Sequence, residues 1–200
     1  MKKGFFHKLS DVSRLHHRAA FSDLAKHTHP TETAFLKLAR ARFSCRGFTE
    51  KEISDEALAS ILEAARLAPS ATNKQPVHVW VVRTPEGLAK IDAATQYRYG
   101  APLVLMVGCK PEEAWVRKYD GKNGAETDAA IVGTHIMMEA SALHLGNVWV
   151  GSFDPAKLAE AFPETAGWEI TALFPIGHPA AHPSPRHNER KPMEEFASEI

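Results

Sequence analysis

Cysteine is nearly missing from this chain. Cys45 and Cys109 are the only two in 200 residues, too few for a disulfide scaffold or a four-cysteine zinc site. Long apolar runs are missing as well: none approaches the ~20 residues that a membrane helix needs, and no apolar segment followed by small residues marks a cleaved signal at the start. The expected setting is therefore a reducing cytoplasm, with no membrane partner. Net charge is zero, 24 Lys and Arg against 24 Asp and Glu. No overall field draws the chain to nucleic acid, and any anion it binds must be held by a local cluster. Internal repeats and low-complexity tracts are also absent. What is present, 44% hydrophobic and 24% charged residues, is the composition of an ordinary globular protein of about one domain.

The charge balance hides a seam. Residues 1–30 carry six Lys or Arg, two acids and five of the 11 histidines, while the remainder holds 18 basic and 22 acidic residues. We read residues 1–33 as a basic, His-rich extension, and residues 34–200 as the folded domain. Within that domain the local signals are strong. A helix is expected over Ala34 to Ala41. Ser54 can cap a second helix whose Leu58, Ile61, Leu62 and Ala65 share one face, with Pro69 closing it. Val77 to Arg83 and Leu103 to Val107 read as strands, the latter buried on two faces. Between them Thr84-Pro85 opens a short helix through Ile91. Asp128 to Leu145 is apolar nearly all round, a central buried helix ending at Gly146. A strand Val148 to Val150, a helix capped by Asp154-Pro155 and a last strand Ile170 to Ile176 follow. Pro175 makes that last strand an edge, a bulge or a strand nearly finished. Interleaved helices and strands with unequal connections predict a mixed sheet flanked by helices rather than a regular doubly wound repeat.

Two segments carry the candidate chemistry. Arg42-Phe-Ser-Cys-Arg46 offers two guanidinium groups and a hydroxyl within five residues. That is either a phosphate cradle or a pair of solvated arginines after a helix. Pro69-Ser-Ala-Thr-Asn-Lys-Gln-Pro76 joins a helix to a strand. Its Ser70, Asn73 and Gln75 can donate to ligand oxygens and ring nitrogens, or the segment is an ordinary connecting turn. Cys45 is expected to be a small packing residue facing the core, His178, His182 and His187 solvated loop residues, and no metal site is expected.

Those two blocks, with Trp149-Val-Gly-Ser-Phe-Asp154, Pro175-Ile-Gly-His-Pro179 and Arg190-Lys-Pro192, resemble in order and spacing the nitroreductase family of FMN-dependent oxidoreductases, over residues 34–200. The resemblance implies an α+β fold in an intertwined homodimer with FMN at its interface. NADH or NADPH is the implied reductant. Hydride would pass through flavin N5 to a small-molecule electron acceptor, a nitroaromatic or quinone, by a ping-pong route. It further implies that Arg42, Phe43, Ser44 and Arg190 lie at the cofactor, with Arg42, Ser44 and Arg190 at its phosphate, and that Arg46 sits beside the flavin pyrimidine. Pro69, Ser70, Ala71 and Asn73 would reach the cofactor from the other subunit, and Gly151 and Ser152 would lie near N5. No side chain is expected to act as a catalytic acid or base, because the flavin carries the chemistry. Phe43, Cys45 and Gly47 depart from the family's more polar or aliphatic residues, and a long insertion after the second strand is lacking. Two other readings follow from the same resemblance: another flavin reaction, such as enone reduction or reductive dehalogenation, or a non-catalytic flavin carrier. No Gly-x-Gly-x-x-Gly fingerprint indicates which nicotinamide is used.

Overall fold

A computed structural model describes residues 30–200 of the chain. The extension expected over residues 1–33 lies outside the described residues apart from 30–33. The chain divides into two units, Ala34–Ser184 and a second to which Pro185–Ile200 belongs.

In the first unit, helix α1 (Ala34–Ala41) is followed by α2 (Asp55–Arg66), β1 (Val77–Val82), α3 (Pro85–Ala94), β2 (Leu103–Cys109) and α4 (Ala125–Ala142). Strand β3 (Gly146–Asn147), α5 (Pro155–Ala161) and β4 (Glu169–Gly177) complete it. The strands form one sheet in the order β1-β2-β4-β3, antiparallel throughout. Its parallel contact is the isolated bridge between Ser44 and Asn147.

Alternation along β2 builds the core, since successive side chains point to opposite faces. Leu105 and Val107 meet Phe174, Ile61, Val132 and Ile136 on the face covered by α2 and α4. On the other face Val104 and Met106 meet Leu173, Ile91, Leu158 and Phe162, under α3 and α5. All seven residues of β2 are buried, as its apolar run requires.

The helix caps follow the sequence. Ser54 accepts from the Ala57 N–H, Thr84 from Gly87, and Asp154 from Ala156 and Lys157. Each satisfies donors that the first turn leaves open.

Several boundaries differ from the sequence reading. Helix α4 starts at Ala125 and ends at Ala142, so Asp128 lies in its first turn. It stops one residue pair earlier than Gly146 because His144 takes the left-handed conformation, φ 59°. Leu145 then donates to the Ala140 carbonyl and His144 to that of Ser141, a Schellman ending that needs no glycine. The helix is also not buried all round: Thr134 is exposed and Ile131, His135 and Met138 are half-buried. The pattern signalled apolarity, but this chain covers one face. Residues 148–150 are no continuous strand, since ladder pairing ends at Asn147 and returns only as the Val150–Leu173 bridge. This gap resolves the proline. Strand β4 is interior, yet between Leu173 and Ile176 its β3 side has no partner, and Pro175 sits there without a lost ladder bond on that side.

In the second unit a short helix α6 (Met193–Phe196) follows a 3-10 turn at Pro185–Asn188.

Candidate functional site

The Arg42–Arg46 segment leaves α1 and lies along β3. Cys45 donates its N–H to the Asn147 carbonyl at 2.9 Å, which pins the segment between its two arginines. The bridge requires close approach: a Cβ on Gly146 would stand 2.8 Å from Cys45 Sγ and 2.9 Å from its Cβ. Cys45 is fully buried, with its thiol donating to the Gly47 carbonyl at 3.1 Å, so the packing role expected of it holds.

Pinning Cys45 inward leaves its neighbours outward. Arg42, Phe43 and Ser44 are half-buried and Arg46 is exposed. Among the described residues no acid forms an ion pair with Arg42 or Arg46. The Arg46 contact to the Ser44 carbonyl, at 3.5 Å, is too long to hold the guanidinium. Two arginines without an acidic partner among the described residues, with a hydroxyl beside them on a fixed backbone, form a surface that can take a phosphate.

The Pro69–Pro76 segment is conformationally costly. Thr72, Asn73 and Gln75 all have positive φ, 53°, 57° and 52°, although none is glycine. Thr72, β-branched, is the most unusual, and each such residue costs on the order of 1–3 kcal/mol unless its surroundings fix it. Here they do. Ser70 Oγ accepts the Gln75 N–H at 2.9 Å, and Asp128 Oδ1 accepts that of Ala71 at 3.0 Å. Thr72, Asn73 and Lys74 are exposed on this fixed loop. A hollow of about 280 Å³ opens beside Ser70 and Gln75, walled by Leu62, Val77 and Val132.

Gly151 and Ser152 are exposed at the end of the sheet. Thr95 fixes them: its buried hydroxyl donates to the Ser152 carbonyl at 2.7 Å, while Asp154 donates its N–H to the Ala94 carbonyl at 2.9 Å. At Gly151 a Cβ would meet nothing closer than Trp149 Nε1 at 3.8 Å, and its φ is not left-handed. Neither turn geometry nor packing among the described residues accounts for a glycine there.

The 42–46 and 69–73 segments are fastened at different places along α4. The 69–73 loop is fastened at Asp128, near the start of α4. The 42–46 segment is fastened through Asn147, whose side chain donates to the Met137 carbonyl at 3.1 Å and to Ser141 Oγ at 3.0 Å. At 1.5 Å per residue these anchors stand roughly 14–20 Å apart along the helix. Arg190 belongs to the second unit, where its guanidinium donates to the His187 and Glu189 carbonyls at 2.7 Å. A larger cleft of about 730 Å³ is lined by Glu50, Glu52, Asp55 and Arg83 and contains none of the expected site residues.

Sequence reasoning missed the supports: Thr95, Asp128 and Asn147, all buried and polar. For Asp128 a signal was present, an acid at the start of the apolar helical run. Asn147 stood similarly between Gly146 and Val148. No feature of the sequence singled out Thr95. Among the described residues no group of His, Cys, Asp or Glu could hold a metal, and no helix is long and apolar enough to cross a membrane.

Comparison with known proteins bears on this arrangement. The model of the nitroreductase family matches residues 39–98 and 92–178. A protein of Archaeoglobus fulgidus with the provisional name NADH dehydrogenase/NAD(P)H nitroreductase is 33% identical over 157 residues, 72% of this chain and 84% of that one. Among solved structures, a nitroreductase family protein from Clostridium difficile superposes with a TM-score of 0.78 at 33% identity, covering 83% of this chain and 98% of its own. A Desulfovibrio desulfuricans structure, solved in complex with FMN, has a TM-score of 0.70 at 31% identity, covering 85% and 98%.

Proposed function

The chain belongs to the nitroreductase family, and from that premise we propose that it is an FMN-dependent oxidoreductase that spends NADH or NADPH on a small electron acceptor. The chemistry FMN supplies when bound is hydride transfer, from a reduced nicotinamide to a nitroaromatic or quinone in alternating half-reactions. The chain's own residues bind and orient. Arg42 and Ser44, with Arg190, hold the phosphate, for which charge-assisted donors suit a group of about −1.5 to −2. Phe43 lies with them at the cofactor. Arg46 is the cation that favours negative charge on the reduced ring. Gly151 and Ser152 present backbone at the redox-active edge, and Pro69, Ser70, Ala71 and Asn73 contact the ring from a second copy of the chain.

The observation that carries this reading is the pinned Arg42–Arg46 segment. Its backbone is fixed on β3 through Asn147, its two arginines have no acidic partner among the described residues, and its thiol is turned away. The residues fit FMN further in that a Cβ at Gly151 would meet nothing among the described residues closer than 3.8 Å, which leaves the backbone there open to a ligand. The homodimer is supported by the separation of the two segments along α4 and by the uncovered Thr134 side of that helix.

The test is direct. The purified protein should be yellow, elute as a homodimer with one FMN per chain, and oxidise NADH or NADPH steadily when a quinone or nitroaromatic is supplied. A flavin-loaded monomer would refute the shared site. Bound flavin without turnover on any acceptor would make the protein a carrier.

A further inference from the structure

We propose that Asp128 is a positioning residue that holds the Ser70–Gln75 loop in the shape that receives the flavin. The inference rests on the assignment of that loop to the flavin site, and it assigns a role to a residue that touches no ligand itself.

Five hydrogen bonds shape the loop. Asn73 donates its N–H to the Ser70 carbonyl, Lys74 to the Ala71 carbonyl and Gln75 to Ser70 Oγ, and the Gln75 side-chain amide donates to the Asn73 carbonyl at 3.3 Å. All four lie within the loop. The fifth, from the Ala71 N–H to Asp128 Oδ1 at 3.0 Å, is the one among the described residues that ties Ser70–Gln75 to another element. It enters immediately before Thr72, the β-branched residue at φ 53°. A strained backbone persists only where its surroundings over-determine it. The internal bonds can move with the loop, whereas a bond to the first turn of an 18-residue helix cannot.

The choice of a carboxylate is informative. Asp128 is 2% exposed, and its Oδ2 is buried without a hydrogen-bond partner. An unpaired buried oxygen is costly, and packing alone would be better served by an apolar residue. Two features offset the cost. Asp128 lies in the first turn of α4, where Gly124 at the N-cap has no side chain to cap it and Asn123 Oδ1 takes only the Ala125 N–H, so the positive end of the helix still favours a carboxylate. A charged acceptor also makes the Ala71 bond stronger than a neutral one would.

The experiment compares Asp128→Leu and Asp128→Ala, which remove the acceptor, with Asp128→Asn, which keeps an oxygen there. Hydrogen exchange at the Ala71 amide and the dissociation constants of FMN and riboflavin are measured on each folded protein. In the Leu and Ala variants, Ala71 exchange should quicken and both flavins should bind roughly tenfold more weakly, the scale of one lost charged hydrogen bond. The two flavins should lose affinity equally because this loop is assigned to the ring, not the phosphate. Asp128→Asn should restore both readouts to within about threefold. The Ala variant serves if the bulkier Leu does not fold. A folded Leu or Ala variant that binds FMN as tightly as wild type would overturn the proposal, even if it melted earlier, as would a loss that Asn failed to restore. If wild type bound no flavin while Ala71 exchange still followed the acceptor, the flavin assignment would fall and the holding of the loop would stand.

Discussion

The Asn147 carbonyl accepts the Cys45 N–H at 2.9 Å, while the Asn147 side chain donates to Met137 and Ser141 on α4. The one residue therefore couples the central helix to the segment carrying Arg42 and Arg46. Asn147→Leu should leave the Met137 carbonyl and Ser141 hydroxyl without that donor and cost about 1–3 kcal/mol of stability. Urea unfolding measures it, and a change within error would show that the side chain contributes little.

Phosphate recognition separates from ring recognition by choice of flavin. Arg42→Ala should weaken FMN binding by about 1.5–3 kcal/mol, the scale of a hydrogen bond to a charged group. Riboflavin, which lacks the phosphate, should bind nearly as it does to wild type. Equal losses for the two flavins would remove Arg42 from the phosphate.

Arg46 should tune the potential more than it anchors. Arg46→Gln removes a cation favouring the reduced ring, and 1–2 kcal/mol of lost preference lowers a two-electron midpoint by roughly 20–45 mV. A spectroscopic redox titration decides: an emptied site with an unshifted potential for the residual flavin would make Arg46 a phosphate anchor.

Two glycines should respond in opposite ways to alanine. Gly146→Ala drives a Cβ to within 2.8 Å of Cys45 Sγ, an overpacking expected to cost about 1–3 kcal/mol. Gly151→Ala, with nothing closer than 3.8 Å, should keep stability within about 0.5 kcal/mol and still impair flavin binding. Thermal melts and flavin titration together check the pair, and undiminished affinity in Gly151→Ala would take that residue away from the cofactor.

Burial raises the Cys109 thiol above its ordinary value of 9.0, partly opposed by its contact with Thr171. The folded state thus binds the proton more tightly than the unfolded chain does. The stability from this group is complete below about pH 9 and falls as the pH rises beyond it, because only the unfolded thiol then ionises. Cys109→Ala should flatten that alkaline decline in a series of melts. A decline equally steep in the variant would assign it to other groups.

The caps at Ser54, Thr84 and Asp154 were legible because each needs only residues two or three apart, and the two-faced burial of β2 because a continuous apolar run has few other uses. The end of α4 was misread for the converse reason. Gly146 looked like a helix stop, but its small size serves the approach of Cys45, a hundred residues earlier in the chain, while His144 takes the left-handed turn.

By itself the sequence determined the family, through five short blocks in order, and most element types, through local capping and periodicity. Tertiary structure decided which of those blocks lie together and what holds them. The strained loop depends on Asp128 and the arginine segment on Asn147, contacts whose partners are 57 and 102 positions apart in the chain. Local patterns record the conformational preferences of neighbouring residues. A buried hydrogen bond between distant ones is selected only when the folded core excludes water from both ends, so no local pattern encodes it.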